Sequence, residues 1–346
     1  MKKIRVAVNG CGRIGRAFIK KTFSRPEVEI VAVNDLADVK NIAYLLTYDT
    51  VYGKSEFEVS YKDSDKKYLV VGGKEILYFS EKEPAKLPWK DLDIDVVVES
   101  TGFFVGYEKS KVHLDAGAKR VVISATVKDE PEDAGISGAT VLLGVNEDKM
   151  KVCQITSNAS CTTNAGSPLI AILDEAIGIE KAVLNTVHGY TASQGIVDGP
   201  NKKDFREGRA GAMNIVPSST GAAIAVTKAF PKLAGLFDGV SMRVPVVAGS
   251  IVDITFIAKR DTSKDEVNEA LKKAAKEKRW AGIFSVTEEE LVSTDILGSE
   301  FASIADLNFT RVIGGNLVKV MAWYDNEMGY TNTLVEHVIK AGEELK

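Results

Sequence analysis

A cysteine and a histidine have the residue types and the flanking sequences of a nucleophile and its base. Cys161 lies in the octapeptide SNASCTTN, residues 157–164, between a β-rich run and a helical stretch. The positive end of a helix dipole stabilises a thiolate, which predicts a lowered pKa for this thiol. His188 ends the apolar run 182–187 and opens a polar loop over 189–217. A cysteine nucleophile commonly works with a neighbouring base, so the two form the candidate catalytic pair, with a structural role for both as the alternative.

The remaining histidines and cysteines have ordinary structural explanations. His113 belongs to a predicted surface helix and His337 to the terminal helix, so both are expected to be solvated. Cys11 occupies the variable place of a glycine turn and Cys153 an apolar context, where small thiols are usually buried. Three cysteines are an odd and sparse set, which argues against a disulfide framework. No metal site is predicted.

A glycine-rich turn near the N-terminus predicts a dinucleotide site. A β-rich run leads into the motif G-x-G-x-x-G and a helix. In that setting Gly10 permits a tight turn, Gly12 lets a pyrophosphate approach the backbone, and Gly15 allows close helix packing. A second β-rich run ends at Asp35, 20 residues beyond Gly15, where a carboxylate would bind a ribose 2′-hydroxyl. That carboxylate would repel a 2′-phosphate, so NAD is favoured over NADP.

Several cationic and hydroxyl side chains in the second half indicate an anionic substrate. Arg206 and Arg209 lie in the polar loop, and Thr220, Gly221 and Arg243 follow it. Guanidinium groups, hydroxyls and backbone amides suit phosphate. Isolated arginines are usually surface charges, but their collection in the second half of a chain of net charge −4 favours an anionic substrate.

The elements that must position these residues fall into two patterns. Nearly solid Val/Ile runs in the first half predict a parallel sheet covered on both faces. After about residue 165 the pattern is closer to period two, which favours a mixed or antiparallel sheet, and residues 332–345 form an amphipathic terminal helix. The solid runs are 5–8, 30–33, 96–98, 121–124 and 141–143, and the alternating runs are 251–256 and 317–323.

The bulk properties limit the class of protein. A chain of 346 residues is long enough for two domains, and its 45% hydrophobic and 27% charged residues are typical of a globular protein. The net charge of −4 offers no general attraction to nucleic acid or to an anionic membrane. The glycine turn comes within ten residues of the first Met, too early for a signal peptide, and no 18-residue apolar run follows. We expect a cytoplasmic protein.

Motifs along the whole chain resemble the glyceraldehyde-3-phosphate dehydrogenase family. The resemblance implies a Rossmann-type doubly wound parallel sheet and an α+β catalytic domain with a mixed or antiparallel sheet. Its expected limits are 1–160 for the NAD-binding domain, completed by a terminal helix over 327–346, and 161–326 for the catalytic domain. A homotetramer is the usual assembly. The matching segments are NGCGRIGR (9–16), NDL (34–36), SNASCTTN (157–164), HGYT (188–191), PSSTGAA (217–223), RVP (243–245) and WYDNE (323–327).

The resemblance also implies a reaction. Cys161 would attack the aldehyde of glyceraldehyde 3-phosphate with His188 as base, hydride would pass to NAD, and inorganic phosphate would attack the resulting thioester to give 1,3-bisphosphoglycerate. Thr191 and Arg243 would hold the phosphate of the substrate. Further phosphate or substrate contacts would come from Ser160, Thr162, Arg209, Thr220 and Gly221. The NAD contacts would come from Gly10, Gly12, Arg13, Ile14, Gly15, Asp35, Lys82, Ser124 and Asn326, with Lys82 where the family often has arginine.

Three other functions are the alternatives. Erythrose-4-phosphate dehydrogenase resembles this family closely, but the intact segments HGYT (188–191) and STG (219–221) favour the triose-phosphate enzyme. A non-catalytic nucleotide-binding or redox-sensing protein would be expected to lack Cys161, His188 or the arginines. A cysteine hydrolase would leave the dinucleotide motif unexplained.

Overall fold

The chain folds into two compact units, each with its own large sheet and its own buried apolar residues. The computed structural model describes residues 2–202 and 204–345. The first unit comprises residues 2–141, 147–159 and 331–345, and the second comprises 142–146 and 160–330. Within the described residues, no helix combines the length and the apolar character needed to cross a membrane.

The first unit is built on one mostly parallel sheet. Its elements are β1 (Ile4–Asn9), α1 (Arg13–Thr22), β2 (Val28–Asn34), α2 (Val39–Thr47), β3 (Tyr48–Asp49), β4 (Gly53–Lys54), β5 (Val59–Asp63), β6 (Lys67–Val71), β7 (Lys74–Phe79), β8 (Val96–Glu99), α3 (Tyr107–Ser110), α4 (Val112–Asp115), β9 (Arg120–Ile123), β10 (Gly138–Thr140) and β11 (Ile155–Ser157). The strand order is β10-β11-β9-β8-β1-β2-β7-β6-β5, while β3 and β4 pair separately. The pairs from β10 to β7 are parallel, and β7-β6-β5 is an antiparallel edge.

The solid apolar runs form the centre of this sheet, as predicted. Every residue of β8 and of β9 is buried, because both faces of a parallel sheet are covered. The predicted strand over 141–143 is wrong. The neighbouring strand β10 ends at Thr140, and the chain then turns, since Leu142 N donates to Asn146 Oδ1 at 2.8 Å and Gly144 has a φ of +74°. Turn chemistry here outweighs the β propensity of the run.

The second unit has a mixed sheet with helices packed against it. Its elements are α5 (Cys161–Ala176), β12 (Ile179–Gly189), β13 (Val216–Ser219), α6 (Ala222–Ala229), β14 (Phe237–Val244), β15 (Ser250–Ala258), α7 (Lys264–Ala274), β16 (Phe284–Thr287), β17 (Ser303–Asp306), β18 (Arg311–Ile313) and β19 (Leu317–Tyr324), and α8 (Met328–Glu343) follows. The strand order is β13-β14-β12-β15-β19-β17-β16, with β18 paired to β19. The expected fold class, a Rossmann-type sheet plus a mixed sheet, is confirmed.

Period-two patterning determines which face of the second sheet is buried. Along β15 buried and partly exposed residues alternate without interruption, and Val252, Ile254 and Phe256 point inward. The helix α5 packs on this face. Gly166 permits the close approach, because a Cβ at that position would already lie 3.2 Å from Leu184 Cδ1 of β12. The alternating runs that predicted β15 and β19 are therefore confirmed.

Both histidines that were expected to be solvated are buried, and that expectation is wrong. His113 is 0% exposed and its Nδ1 accepts a hydrogen bond from Trp89 Nε1 at 3.1 Å. His337, on α8, is also 0% exposed, with its Nε2 2.7 Å from Thr156 Oγ1 and its Nδ1 3.1 Å from Asn158 Oδ1. Burial, followed by the charge of Lys340, lowers the pKa of His337 to about 3.

The depressed pKa of His337 makes the stability of the fold depend on pH. The unfolded chain takes up a proton on His337 near pH 6.5, which the folded chain accepts only near pH 3. The contribution of His337 to the free energy of unfolding is therefore complete above pH 6.5 and is lost as the pH falls from 6.5 towards 3. We expect His337→Gln to reduce the slope of unfolding free energy against pH, between pH 6 and 4, by about 1.4 kcal/mol per unit. Urea unfolding at several pH values measures it.

The control for this prediction is Thr156→Val, which removes the same hydrogen bond without removing a titrating group. It should lower the unfolding free energy by a similar amount at every pH and leave the slope unchanged. Equal slopes in the wild type and in His337→Gln would contradict the assignment.

Candidate active site

The second unit brings Cys161 and His188 into direct contact. Cys161 is the first residue of α5, and Ser160 caps that helix by accepting a hydrogen bond from Thr163 N at 3.1 Å. His188 lies at the carboxyl end of β12 and is 3% exposed. The distance between Cys161 Sγ and His188 Nε2 is 3.3 Å. A proton can therefore pass from the thiol to the imidazole, which is the geometry that a nucleophile and its base require.

A tyrosine that the sequence did not single out for this site fixes the two elements against each other. Tyr324 ends β19 and is 1% exposed. Its hydroxyl lies 2.9 Å from Thr162 Oγ1 on α5 and 2.7 Å from Thr186 Oγ1 on β12, and its ring meets the His188 ring edge-on at 5.9 Å. No local pattern could have found it, since its partners lie 162 and 138 residues away along the chain.

Burial shifts the pKa values of both members of the pair. It is the main cause that lowers the pKa of His188 to about 3; the Arg243 charge acts in the same direction and the hydrogen bond with the Gly189 carbonyl in the opposite one. Burial also raises the pKa of the Cys161 thiol above its ordinary value, although Arg243 and hydrogen bonds with Thr162 counteract it. The predicted lowering of the thiol pKa is therefore wrong for this state, because the loss of hydration outweighs the helix N-terminus.

Arg243 lies beside the candidate catalytic pair because β14 runs parallel to β12 with Arg243 opposite His188. Its Nη1 is 2.6 Å from His188 Nδ1, and that ring nitrogen is also 2.6 Å from the Gly189 carbonyl oxygen. The guanidinium Nε is buried without a hydrogen-bond partner within the described part of the chain. A cation with an unused donor next to a nucleophile is suited to an anionic substrate.

The other residues predicted to bind phosphate occupy different contacts in the second unit. Ser160 and Thr162 use their side chains in the helix cap and in the bond with Tyr324. Thr191 Oγ1 is 3.0 Å from Ser193 Oγ, and Arg209 Nε is 2.8 Å from Asp198 Oδ2. Thr220 Oγ1 accepts a hydrogen bond from Ala222 N at 3.1 Å, and Gly221 is the N-cap of α6.

A cleft of about 410 Å³ at the carboxyl edge of the first sheet contains the glycine turn. Gly10 has a φ of +99°, and a Cβ there would come within 2.6 Å of Thr101 N. A Cβ at Gly15 would collide with the Gly10 carbonyl oxygen, whereas Gly12 has no described atom within 4 Å of that position. The turn therefore leaves its backbone open beside the start of α1, as a pyrophosphate requires.

The acid at the end of β2 is held in the same cleft. Asp35 accepts hydrogen bonds from Cys11 N at 2.6 Å and from Ala37 N at 2.8 Å, one on each carboxylate oxygen. Both oxygens keep a lone pair for a ribose hydroxyl. Cys11 itself is 1% exposed and Cys153 is 5% exposed, so the prediction that both are buried is confirmed.

The remaining cofactor candidates differ in their surroundings. Lys82 lines the cleft of the first unit. Arg13 and Ile14 begin α1, and Arg13 Nη1 is paired with Asp49 Oδ2 at 2.7 Å. Ser124 Oγ donates to the Glu99 carbonyl oxygen at 3.0 Å. Asn326 belongs to the second unit, where its Oδ1 accepts hydrogen bonds from Gly249 N at 3.0 Å and Ser250 Oγ at 3.2 Å.

Comparison with known proteins assigns both units. Residues 4–107 match the family model described as the NAD binding domain of glyceraldehyde 3-phosphate dehydrogenase, and residues 160–326 match the model of its C-terminal domain. The chain belongs to the glyceraldehyde-3-phosphate dehydrogenase family. Glyceraldehyde-3-phosphate dehydrogenase 2 of Streptomyces avermitilis is 45% identical over 345 residues, 99% of each chain. The Thermotoga maritima enzyme is 47% identical over 96% of this chain and 97% of its own, and that of Geobacillus stearothermophilus is 44% identical over 96% of each.

Family membership confirms several predictions. The chain is an NAD-dependent oxidoreductase with a Rossmann-type cofactor domain, as the glycine turn and Asp35 predicted. The main functional prediction, a dehydrogenase of this family, is supported by relatives of nearly full length, and the erythrose-4-phosphate alternative is not favoured. The same finding does not favour a cysteine hydrolase.

The position of Arg243 predicts its effect on the reactivity of Cys161. Because the guanidinium charge lowers the pKa of that thiol, Arg243→Gln should raise it and move the pH profile of Cys161 alkylation to higher pH. Iodoacetamide is the reagent, since it is uncharged and does not itself bind the arginine. Arg206→Gln is the control, because Arg206 is exposed and paired with Asp204. An unchanged pH profile in Arg243→Gln would show that the Arg243 charge does not affect the pKa of the Cys161 thiol.

Proposed function

We propose that the chain oxidises glyceraldehyde 3-phosphate to 1,3-bisphosphoglycerate, in glycolysis or gluconeogenesis, with NAD and inorganic phosphate. The observation that carries this proposal is the 3.3 Å contact between Cys161 Sγ and His188 Nε2 at the start of α5. The choice of substrate is taken from relatives that are named glyceraldehyde-3-phosphate dehydrogenase. A neutral imidazole beside a thiol can act as the base that removes the thiol proton.

The reaction begins when the Cys161 proton moves to His188 Nε2 and the sulfur attacks the aldehyde carbon. The imidazolium then donates its proton to the carbonyl oxygen, which gives a thiohemiacetal with an uncharged hydroxyl group. His188 would take up the hydroxyl proton as this adduct is oxidised to a thioester, and NAD, when bound in the cleft of the first unit, would supply the hydride acceptor. Phosphate then attacks the thioester carbon, the Cys161 sulfur leaves and takes back the proton held by His188, and the product is an acyl phosphate.

Phosphate recognition has two parts in this proposal. Thr191 and Arg243 bind the phosphate of the substrate, and the free Nε of Arg243 supports that role. The attacking phosphate is bound by some of Ser160, Thr162, Arg209, Thr220 and Gly221. Arg209 would exchange its exposed bond with Asp198 for the ligand, a small cost because surface ion pairs contribute about 0–1 kcal/mol.

The cofactor side of the proposal uses the cleft of the first unit. Gly10, Gly12, Gly15 and the start of α1 bind the pyrophosphate, and Asp35 binds the adenosine ribose. The further contacts are proposed from the family: Arg13, Ile14, Lys82, Ser124 and Asn326. The proposed NAD-binding domain spans 1–160 with the helix of 327–346, and the catalytic domain spans 161–326.

A homotetramer is the proposed assembly. The second sheet has exposed apolar side chains on β12 and β14: Val183 is 52% exposed, Val240 51% and Met242 38%. Neighbouring Ile224 and Leu236 are 59% and 47% exposed. Several exposed apolar side chains in one part of a sheet are typical of an interface between copies. We propose the cytoplasm as the compartment, where sparse cysteines remain thiols.

The assembly proposal predicts that charge on this face separates the subunits. The double variant Val183→Lys, Val240→Lys should reduce the molar mass measured by light scattering from four chains to two or one, because four like charges would meet at each interface. Val152→Lys is the control, since Val152 is 75% exposed but belongs to the first unit. A tetramer that survives the double variant would place its interface elsewhere.

The catalytic proposal predicts phosphate-dependent formation of NADH. With glyceraldehyde 3-phosphate and NAD, the wild type should turn over continuously only when inorganic phosphate is present, and stop after one thioester per chain without it. Cys161→Ser should lose at least about 10³-fold in kcat and His188→Asn about 10²- to 10⁴-fold. Absorbance of NADH measures both.

The matched control for the nucleophile is Cys153→Ser, which alters a buried thiol of the first unit and should keep the wild-type rate. Turnover that is equally fast without phosphate, or that survives in Cys161→Ser, would rule out the thioester mechanism.

A further inference from the structure

A buried acid lies beneath the cofactor cleft of the first unit, outside the residues to which a function was assigned above. Glu99 ends β8 and is 1% exposed. Around it lie Asn9 at the end of β1, Asn34 at the end of β2, Thr101 and His113, which together with Glu99 form the Glu99 cluster. Asn9, Asn34 and Thr101 also line the cleft.

The Glu99 carboxylate accepts hydrogen bonds on both oxygens. Oε1 accepts from Thr101 N at 2.8 Å and from the Thr101 hydroxyl. Oε2 accepts from Asn9 Nδ2 at 2.6 Å and faces His113 Nε2 at 3.1 Å. A buried carboxylate needs this many donors to offset its desolvation. These contacts fix Thr101, whose hydroxyl oxygen in turn accepts from Phe103 N at 3.1 Å in the cleft wall.

The orientation of His113 agrees with this arrangement. Trp89 Nε1 can only donate, and it lies 3.1 Å from His113 Nδ1, so that ring nitrogen accepts. The proton of a neutral ring is therefore on Nε2 and is donated to Glu99. Trp89 and His113 are each 0% exposed, so water cannot replace a hydrogen bond that is lost between Trp89, His113 and Glu99.

The carboxylate also fixes the orientation of two amides. Because it can only accept, Asn9 must present its Nδ2 to Glu99 and its Oδ1 to Asn34, whose Nδ2 donates to it at 2.7 Å. Asn34 Nδ2 also donates to the Glu81 carbonyl oxygen at 2.9 Å, and Asn34 Oδ1 accepts from Glu81 N at 2.8 Å. Glu81 and Lys82 form part of the cleft wall. One buried charge thus determines the hydrogen-bond polarity of the wall across three neighbouring strands.

We propose that Glu99 is a positioning residue for the adenosine half of NAD: its carboxylate orients Asn9, Asn34 and Thr101, and through Asn34 it holds the Glu81–Lys82 segment against the ligand. This inference rests on the cleft being the NAD site. Charge alone predicts the opposite effect, because removal of a buried anion should favour an anionic dinucleotide. The sign of the change in affinity therefore separates positioning from simple electrostatics.

The experiment is a double-mutant cycle on two buried positions, with the dissociation constant of NAD measured by calorimetry on the full chain. Glu99→Gln presents an amide to two donors, and we expect it to weaken NAD binding about 10- to 100-fold. Asn9→Asp places two carboxylates in contact and should weaken it at least as much. The double variant restores complementarity between hydrogen-bond donors and acceptors. The carboxylate introduced at position 9 would accept from the amide introduced at position 99 and from Asn34. It would also accept from His113 Nε2, which lies 3.4 Å from Asn9 Nδ2 in the wild type.

We expect the double variant to bind NAD at least tenfold more tightly than Asn9→Asp and no more weakly than Glu99→Gln. In steady state, the KM for NAD should rise in Glu99→Gln while kcat at saturating NAD and the KM for glyceraldehyde 3-phosphate change less than about threefold. Thr156→Val, which removes a buried hydrogen bond elsewhere in the same unit, is the control and should lower the melting temperature without changing NAD affinity.

Two results would overturn the proposal. Tighter or unchanged NAD binding in Glu99→Gln would leave only an electrostatic or structural role. Additive losses in the double variant would show that Glu99 and Asn9 do not act through each other. Failure of the catalytic proposal is recognised separately, as a wild type that binds NAD in the calorimeter but forms no NADH from glyceraldehyde 3-phosphate.

Discussion

The contact between the Cys161 sulfur and the His188 imidazole is the constraint that the elements of the second unit together satisfy. That contact requires the first residue of α5 to meet the carboxyl end of β12 with the two reacting atoms 3.3 Å apart. Ser160 determines where the helix begins, and the hydroxyl of Tyr324 holds the helix and the strand at one separation. Small errors in such a distance lower rates strongly, so a buried three-way hydrogen bond is a suitable device for holding it.

Burial favours the uncharged forms of Cys161 and His188. A protonated thiol and an unprotonated imidazole are both neutral. The pair in this form therefore avoids the desolvation cost of a buried ion. In the proposed reaction, proton transfer between Cys161 and His188 would create two opposite charges in a region where electrostatic interactions are strong, with Arg243 next to the ring. The charge of a bound phosphate would act in the same low-dielectric surroundings. The packing of the sheet would therefore contribute to the energetics of the proposed reaction, together with the reacting groups.

Part of this protein follows from local sequence alone. The glycine turn of β1 and α1 needs only Gly10, Gly12 and Gly15 at fixed spacing, because a positive φ and the absence of a Cβ are local requirements. The two sheet types follow from solid and alternating apolar runs for the same reason. Cys161 could be placed at a helix start because an N-cap and a helical stretch are neighbours in sequence. The strand predicted over 141–143 failed where a side-chain turn competed with β propensity.

Tertiary structure decided the features that depend on residues far apart in the chain. His113 and His337 have the local surroundings of surface residues, yet long-range packing buries both and supplies their partners, Trp89 and Thr156. The raised pKa of Cys161 reflects burial that no local pattern encodes. Sequence by itself determined which side chains could do chemistry and which elements carry them. Only the folded chain decided their hydration and hydrogen-bond partners, because both depend on contacts between strands and helices that are distant in sequence.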